Sequence, residues 1–127
     1  MPTSLSNFLN SQNQGVNPWT RKTSNYTAVN GDRIIADTTS ASFTITLPAT
    51  PTVGHNLIIV DGNDWSVNNL IIARNGSTIE GLSEDLTVDI GTIKIEIVYD
   101  GTTWEVFSTI TGGGGGGEFS PVNYIVD

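Results

Sequence analysis

The chain has 127 residues, with thirteen acidic against five basic side chains and a net charge of −8. That balance sets it against phosphate-rich nucleic acid and against anionic membranes, since both repel it. The lack of cysteine leaves no disulfide or thiolate metal site to consider, and the length suits one domain with a modest core.

Residues 1–25 are rich in Asn, Ser, Gln and Thr, with Leu5, Phe8, Leu9, Val16 and Trp19 as widely spaced apolar positions. Ser4 or Ser6 can cap a short helical turn carrying Leu5, Phe8 and Leu9 at i, i+3, i+4 spacing. Gly15, Asn17-Pro18 and Thr20 then read as extended, irregular chain. Met1 to Asn7 has neither the basic stretch nor the apolar segment of a secretory signal. No apolar run approaches the roughly 20 residues that span a bilayer as a helix. A segment this polar cannot offset its ordering entropy alone. It is either a loose tail or an arm laid on a partner, and the arm is the expectation, with Phe8 and Trp19 as anchors.

The pattern changes at Tyr26. Tyr26 to Val29 leads through the turn signature Asn30-Gly31-Asp32 into Arg33 to Asp37. Phe43-Thr44-Ile45-Thr46-Leu47 alternates cleanly, with threonines on one face, and Pro48 and Pro51 bracket a loop. Asn56 to Asp61 is apolar at successive positions, which predicts burial on both faces or a place at an interface. Leu70 to Arg74 and Leu86 to Val88 are further short strands.

Ile93, Ile95, Ile97 and Tyr99 then share one strand face, opposite Lys94 and Glu96. Asp100-Gly101 supplies a tight reversal, and Trp104, Val106, Ser108 and Ile110 line one face of the returning strand. This is the clearest hairpin in the chain. About eight short strands with turn signals between them, and no amphipathic helix of ordinary length, predict an all-β fold. The expected form is a compact sandwich, barrel or prism of short antiparallel strands with an arm at each end. The β domain is placed at residues 26–111.

Six glycines at 112–117 read as a flexible linker. They tether residues 118–127, where Val122, Tyr124 and Val126 share one face of an extended segment. That tail suits pairing with a neighbour's sheet edge through Phe119, Tyr124 and Ile125. A last strand returning to its own domain is the equal alternative.

Chemistry-bearing motifs are sparse. His55 has no cysteine or second histidine to join in a metal or nucleophilic site. Asp61 and Asp64 flank Gly62-Asn63 without the glutamate that completes a calcium loop. Glu80, Glu84 and Asp85 read as solvated turn residues rather than paired glycosidase carboxylates. No Lys-Ser/Thr follows the glycine run, so it is not a phosphate loop. Neither an enzyme nor a cofactor is expected. Among the aromatics, Tyr99 and Trp104 face the core by alternation. Trp65, in a polar loop, is the candidate for exposure and for contact with a sugar.

Several stretches together resemble a module common in tailed-bacteriophage virion proteins. They are Tyr-Thr-Ala-Val-Asn-Gly-Asp-Arg-Ile-Ile-Ala-Asp-Thr-Thr (26–39), Phe-Thr-Ile-Thr-Leu-Pro (43–48) and Val-Gly-His-Asn-Leu-Ile-Ile-Val-Asp (53–61). Leu-Ile-Ile-Ala-Arg-Asn-Gly-Ser-Thr-Ile-Glu-Gly (70–81) and Val-Tyr-Asp-Gly-Thr-Thr-Trp (98–104) complete the set. The resemblance covers about residues 26–110. It implies a compact β domain of fibres and accessory structural proteins, often homotrimeric, with no catalytic residues. With no long shaft, the chain looks like a capsid decoration protein, a short head fibre or a tail adaptor. Its partners would be capsid or tail proteins, and its location the virion, after synthesis in the bacterial cytoplasm. The alternative is a carbohydrate-binding module that contacts host glycans through Trp65.

Overall fold

The computed structural model describes residues 18–111. Phe8, the glycine run and the tail with Phe119, Tyr124 and Ile125 lie outside the described residues. Within them the fold is all-β: β1 (Trp19–Lys22), β2 (Tyr26–Thr27), β3 (Arg33–Ala36), β4 (Phe43–Thr46), β5 (Asn56–Asp61), β6 (Leu70–Ala73), β7 (Leu86–Val88), β8 (Ile93–Tyr99) and β9 (Trp104–Ile110). A five-stranded sheet in the order β1-β3-β5-β8-β9 accompanies a four-stranded sheet in the order β2-β4-β6-β7.

The first six strands alternate between the sheets, so same-sheet neighbours are two strands apart in sequence and run parallel. The chain therefore winds as a two-sheet coil. Only the last strands close it with antiparallel pairs, β7 on β6, β8 on β5 and β9 on β8. The expectation of antiparallel strands throughout is corrected to this mixed pairing. Its physical origin is at the corners. Asn30-Gly31 does turn the chain, with Gly31 at φ 90°. The turn carries the chain to the opposite sheet instead of folding it back on its neighbour.

Alternation within the strands builds the core. Ile34, Ala36, Leu57, Ile59, Ile93, Ile95 and Ile97 point inward from the larger sheet, and Phe43, Ile45, Leu70, Ile72 and Val88 from the smaller. Each large apolar side chain so buried contributes about 1.5–3 kcal/mol. The hairpin forms as its pattern predicts, with Tyr99 opposite Trp104. Gly101 takes φ 104°, and the Asp100 carboxylate accepts the Thr102 and Thr103 amides at 2.8 and 2.9 Å. The Tyr99 and Trp104 rings pack at 5.3 Å between centroids. Trp104 is fully buried, and its indole N–H has no hydrogen-bond partner among the described residues.

Two further expectations change. Trp19 to Lys22, read as part of an irregular arm, form the outermost strand of the larger sheet, paired with β3. Trp65 is not exposed: its relative accessibility is 0%. The loop bends its ring between the sheets, and the indole N–H donates to the Ala36 carbonyl at 3.0 Å. The polar residues that suggested exposure instead hold the loop backbone. Asp61 accepts the Trp65 amide at 3.1 Å, and Asn69 donates to the Trp65 carbonyl at 2.7 Å. A ring placed there cannot stack on a sugar.

Candidate interaction surface

Each sheet has an outer face, and the register assigns its residues. On the four-stranded sheet one outward row is Thr27, Thr46 and Ala73, and the next is Thr44, Ile71 and Thr87. This face is mostly threonine. On the five-stranded sheet the outward row is Trp19, Arg33, Ile58, Glu96 and Phe107, one residue per strand. The adjacent outward row is Arg21, Ile35, Val60, Lys94 and Thr109. Neighbouring side chains shield Ile35, Ile58 and Val60 only in part. Trp19 and Phe107, at opposite margins, are 43% and 55% exposed.

Charge on this face is divided by side except at Lys94. Arg21 and Arg33 lie on β1 and β3, Glu96 and Glu105 on β8 and β9, and Lys94 of β8 is a cation on the acidic side. Among the described residues the one ion pair is Arg21 to Asp37 at 2.8 Å. The Thr39 hydroxyl and amide, followed by the Arg21 charge, hold the Asp37 carboxyl below its ordinary value. Arg33 stacks over the Trp19 ring at 5.8 Å and has no carboxylate partner within the described residues. Glu96 is likewise unpaired there. At the β9 margin a hydrogen bond with Asp100, some burial and the nearby Glu80 charge push the Glu105 carboxyl upward.

The β9 edge is partly covered. Trp104 donates to the Thr78 carbonyl at 2.9 Å and accepts from the Glu80 amide at 2.8 Å. The Glu80 carboxylate then accepts the Val106 amide at 2.7 Å. By strand alternation the backbone groups of Ser108 and Ile110 point to the same side, beyond that cover.

Other sequence candidates do not converge on a reactive site. His55 bonds Thr52 within its own loop, Nε2 to Oγ1 at 3.0 Å. Asp61 and Asp64 each accept amides of their own loop, from Asn63 at 2.9 Å and from Ser66 at 3.0 Å. Asp85 accepts the Arg74 amide at 3.0 Å, away from the Glu80 bond to Val106. Among the described residues no three of His, Cys, Asp or Glu gather as a metal site would require. Of the residues singled out from sequence, the anchor Trp19 lies on the outer face and the sugar-contact candidate Trp65 in the core. Arg33, Ile58, Glu96 and Phe107 were not singled out as candidates. Ile58 was legible as the second apolar face of 56–61, but the shared row needs the register. No family model matches the chain, and neither does any curated protein.

Proposed function

We propose that this chain is a non-enzymatic structural protein of a bacteriophage virion. In this reading it decorates the capsid or serves as a short head fibre or tail adaptor, and it acts as a homotrimer docked through its arms. The virion and the copy number rest on the resemblance of residues 26–110. The observation that supports an assembling role is the outer face of the five-stranded sheet. A partly exposed aliphatic strip between two exposed aromatics suits a protein that meets another protein. The sugar-binding alternative, read on Trp65 and neighbouring loops, is weakened because the Trp65 ring lies in the core.

Docking is tested on particles of the encoding phage by deleting residues 1–17, the part of the arm that precedes β1. Loss of the protein from purified particles, with the β domain still folded, is the expected result. Unchanged occupancy on the particle would refute the N-terminal docking arm.

A further inference from the structure

The outward row Trp19, Arg33, Ile58, Glu96, Phe107 reads aromatic, cation, aliphatic, anion, aromatic. Ile58 stands on the central strand of five, so the pattern is complementary to its own reversal. We infer that two copies of this chain stack through the outer faces of their five-stranded sheets, about a two-fold axis that runs along β5. The inference goes beyond the proposed function, which names no contact surface between copies.

Geometry and charge choose the axis. A two-fold axis between stacked faces lies in the interface plane, and for sheets packed with their strands roughly aligned it runs either along the strands or across them. Along β5 it exchanges the β1 side of one copy with the β9 side of the other. Arg33 then faces Glu96 of the second copy, twice by symmetry, Ile58 faces Ile58, and Trp19 faces Phe107. In the adjacent row Val60 faces Val60, Ile35 lies against the aliphatic stem of Lys94, and Arg21 lies against Thr109. No two like charges oppose each other in these rows. An axis across the strands would set Arg33 on Arg33 and Glu96 on Glu96, which is repulsive.

Distances agree with this choice. Neighbouring strands are about 4.8 Å apart and stacked sheets about 10 Å. Arg33 and Glu96 are therefore each about 5 Å from the axis and about 10 Å from one another in one copy, out of direct contact. Across the interface their side chains span the gap between sheets. Sheets packed face to face cross at about 30°, and the resulting offset is smallest for pairs nearest the axis. The contact is isologous, so it closes at two copies. Joined to a three-fold contact made elsewhere, it gives even-numbered particles.

Native mass spectrometry and sedimentation of the full chain at micromolar concentration test this. Dimers, or hexamers if the three-fold contact also forms, are expected. A chain found only as monomer or only as trimer overturns the inference and leaves virion docking to its own test. Arg33→Glu and Glu96→Arg should each weaken the pairing roughly tenfold or more, since each puts like charges together twice. The double variant should restore it to within about threefold, because the pair is re-formed with its signs exchanged. Arg33 and Glu96 do not touch within a copy, so a monomer-stability effect predicts no such rescue. Additive losses in the double variant overturn the inference. So does equal weakening by Thr46→Lys on the opposite sheet.

Discussion

The two sheets share one construction inward and differ outward. Both point isoleucine, leucine and other apolar side chains into the common core. Outward, the smaller sheet presents Thr27, Thr44, Thr46 and Thr87 with Ile71 and Ala73 among them, whereas the larger presents Ile35, Ile58 and Val60 between Trp19 and Phe107. Threonine, isoleucine and valine share the β-branched shape and suit strands alike. Strand formation therefore does not choose between them; hydration does. A threonine face can stay wet at little cost, and an isoleucine face gains by being covered. The outer difference concerns what each sheet meets, and the inner likeness concerns folding.

The sharpest division should appear within one strand. Ile59 is fully buried between the sheets, and Ile58 lies on the outer face. Ile59→Ala should cost about 2–5 kcal/mol in unfolding free energy, the range for core truncation. Ile58→Ala should cost less, about 1–2 kcal/mol in subunits diluted below association, because part of its surface stays exposed there. Urea titration of both variants checks this, and equal losses would erase the distinction between the faces.

Turning one face into the other is the next test. Ile58→Thr gives the larger sheet the chemistry of the smaller while keeping β-branching. It removes about 0.8 kcal/mol of apolar burial per copy, or roughly tenfold in pairing when counted twice. Thermal stability should hardly move. The measurement is the concentration dependence of the sedimentation coefficient, and an unchanged dependence would mean the aliphatic strip takes no part in assembly.

The buried tryptophans allow a finer contrast, since both are fully buried but, among the described residues, only one has its indole N–H hydrogen-bonded. The Trp65 indole N–H donates to the Ala36 carbonyl, while that of Trp104 has no partner among the described residues. Replacement by phenylalanine removes ring area from both sites. Only Trp65→Phe also breaks a bond, a difference of about 1 kcal/mol. Trp65→Phe should therefore have the lower urea midpoint of the two.

How much of this was legible in sequence depends on whether the information is local. The hairpin was, because Ile93, Ile95 and Ile97 alternate with Lys94 and Glu96, and Asp100-Gly101 suits a tight reversal between two runs long enough to pair. The core face of 43–47 was, for the same reason, whereas 56–61, apolar at four successive positions, shows which face is inward only in the structure, through Leu57 and Ile59. The parallel winding was not. Asn30-Gly31 serves a corner between sheets as well as a hairpin, so turn chemistry does not say which sheet the next strand joins. Trp19 looked like arm because its strand is stabilised by β3, not by its own residues. Trp65 looked exposed because Asp61 and Asn69 are polar, yet their polarity is spent on the loop backbone that carries the ring inward. The cross-strand row on the outer face depends on register between strands distant in sequence, which no window of the chain contains.

The smallest effect concerns pH, and the margins of the larger sheet should respond in opposite senses. Asp37 is held below its ordinary value chiefly by Thr39, then by Arg21, and in loops elsewhere Asp64 is lowered by Ser66 and Asp100 by the Thr103 and Thr102 amides. Each of these contributions is complete above the unfolded carboxylate value and is lost as pH falls through the lower folded one. Glu105 is raised, first by its hydrogen bond with Asp100 and then by burial and Glu80, so its sign is reversed. The folded state takes up that proton more readily, and stability rises as pH falls from neutral through the folded value toward the unfolded one. All four groups are surface carboxylates, and solvent screening keeps each effect small. The melting temperature should be level or slightly rising down to about pH 5 and should fall below about pH 4. Glu105→Gln retains a donor for Asp100 and removes the titration, so it should abolish the rise while keeping the acid fall. A fall already complete at about pH 5 in the parent chain would mean that carboxylates other than these three aspartates dominate.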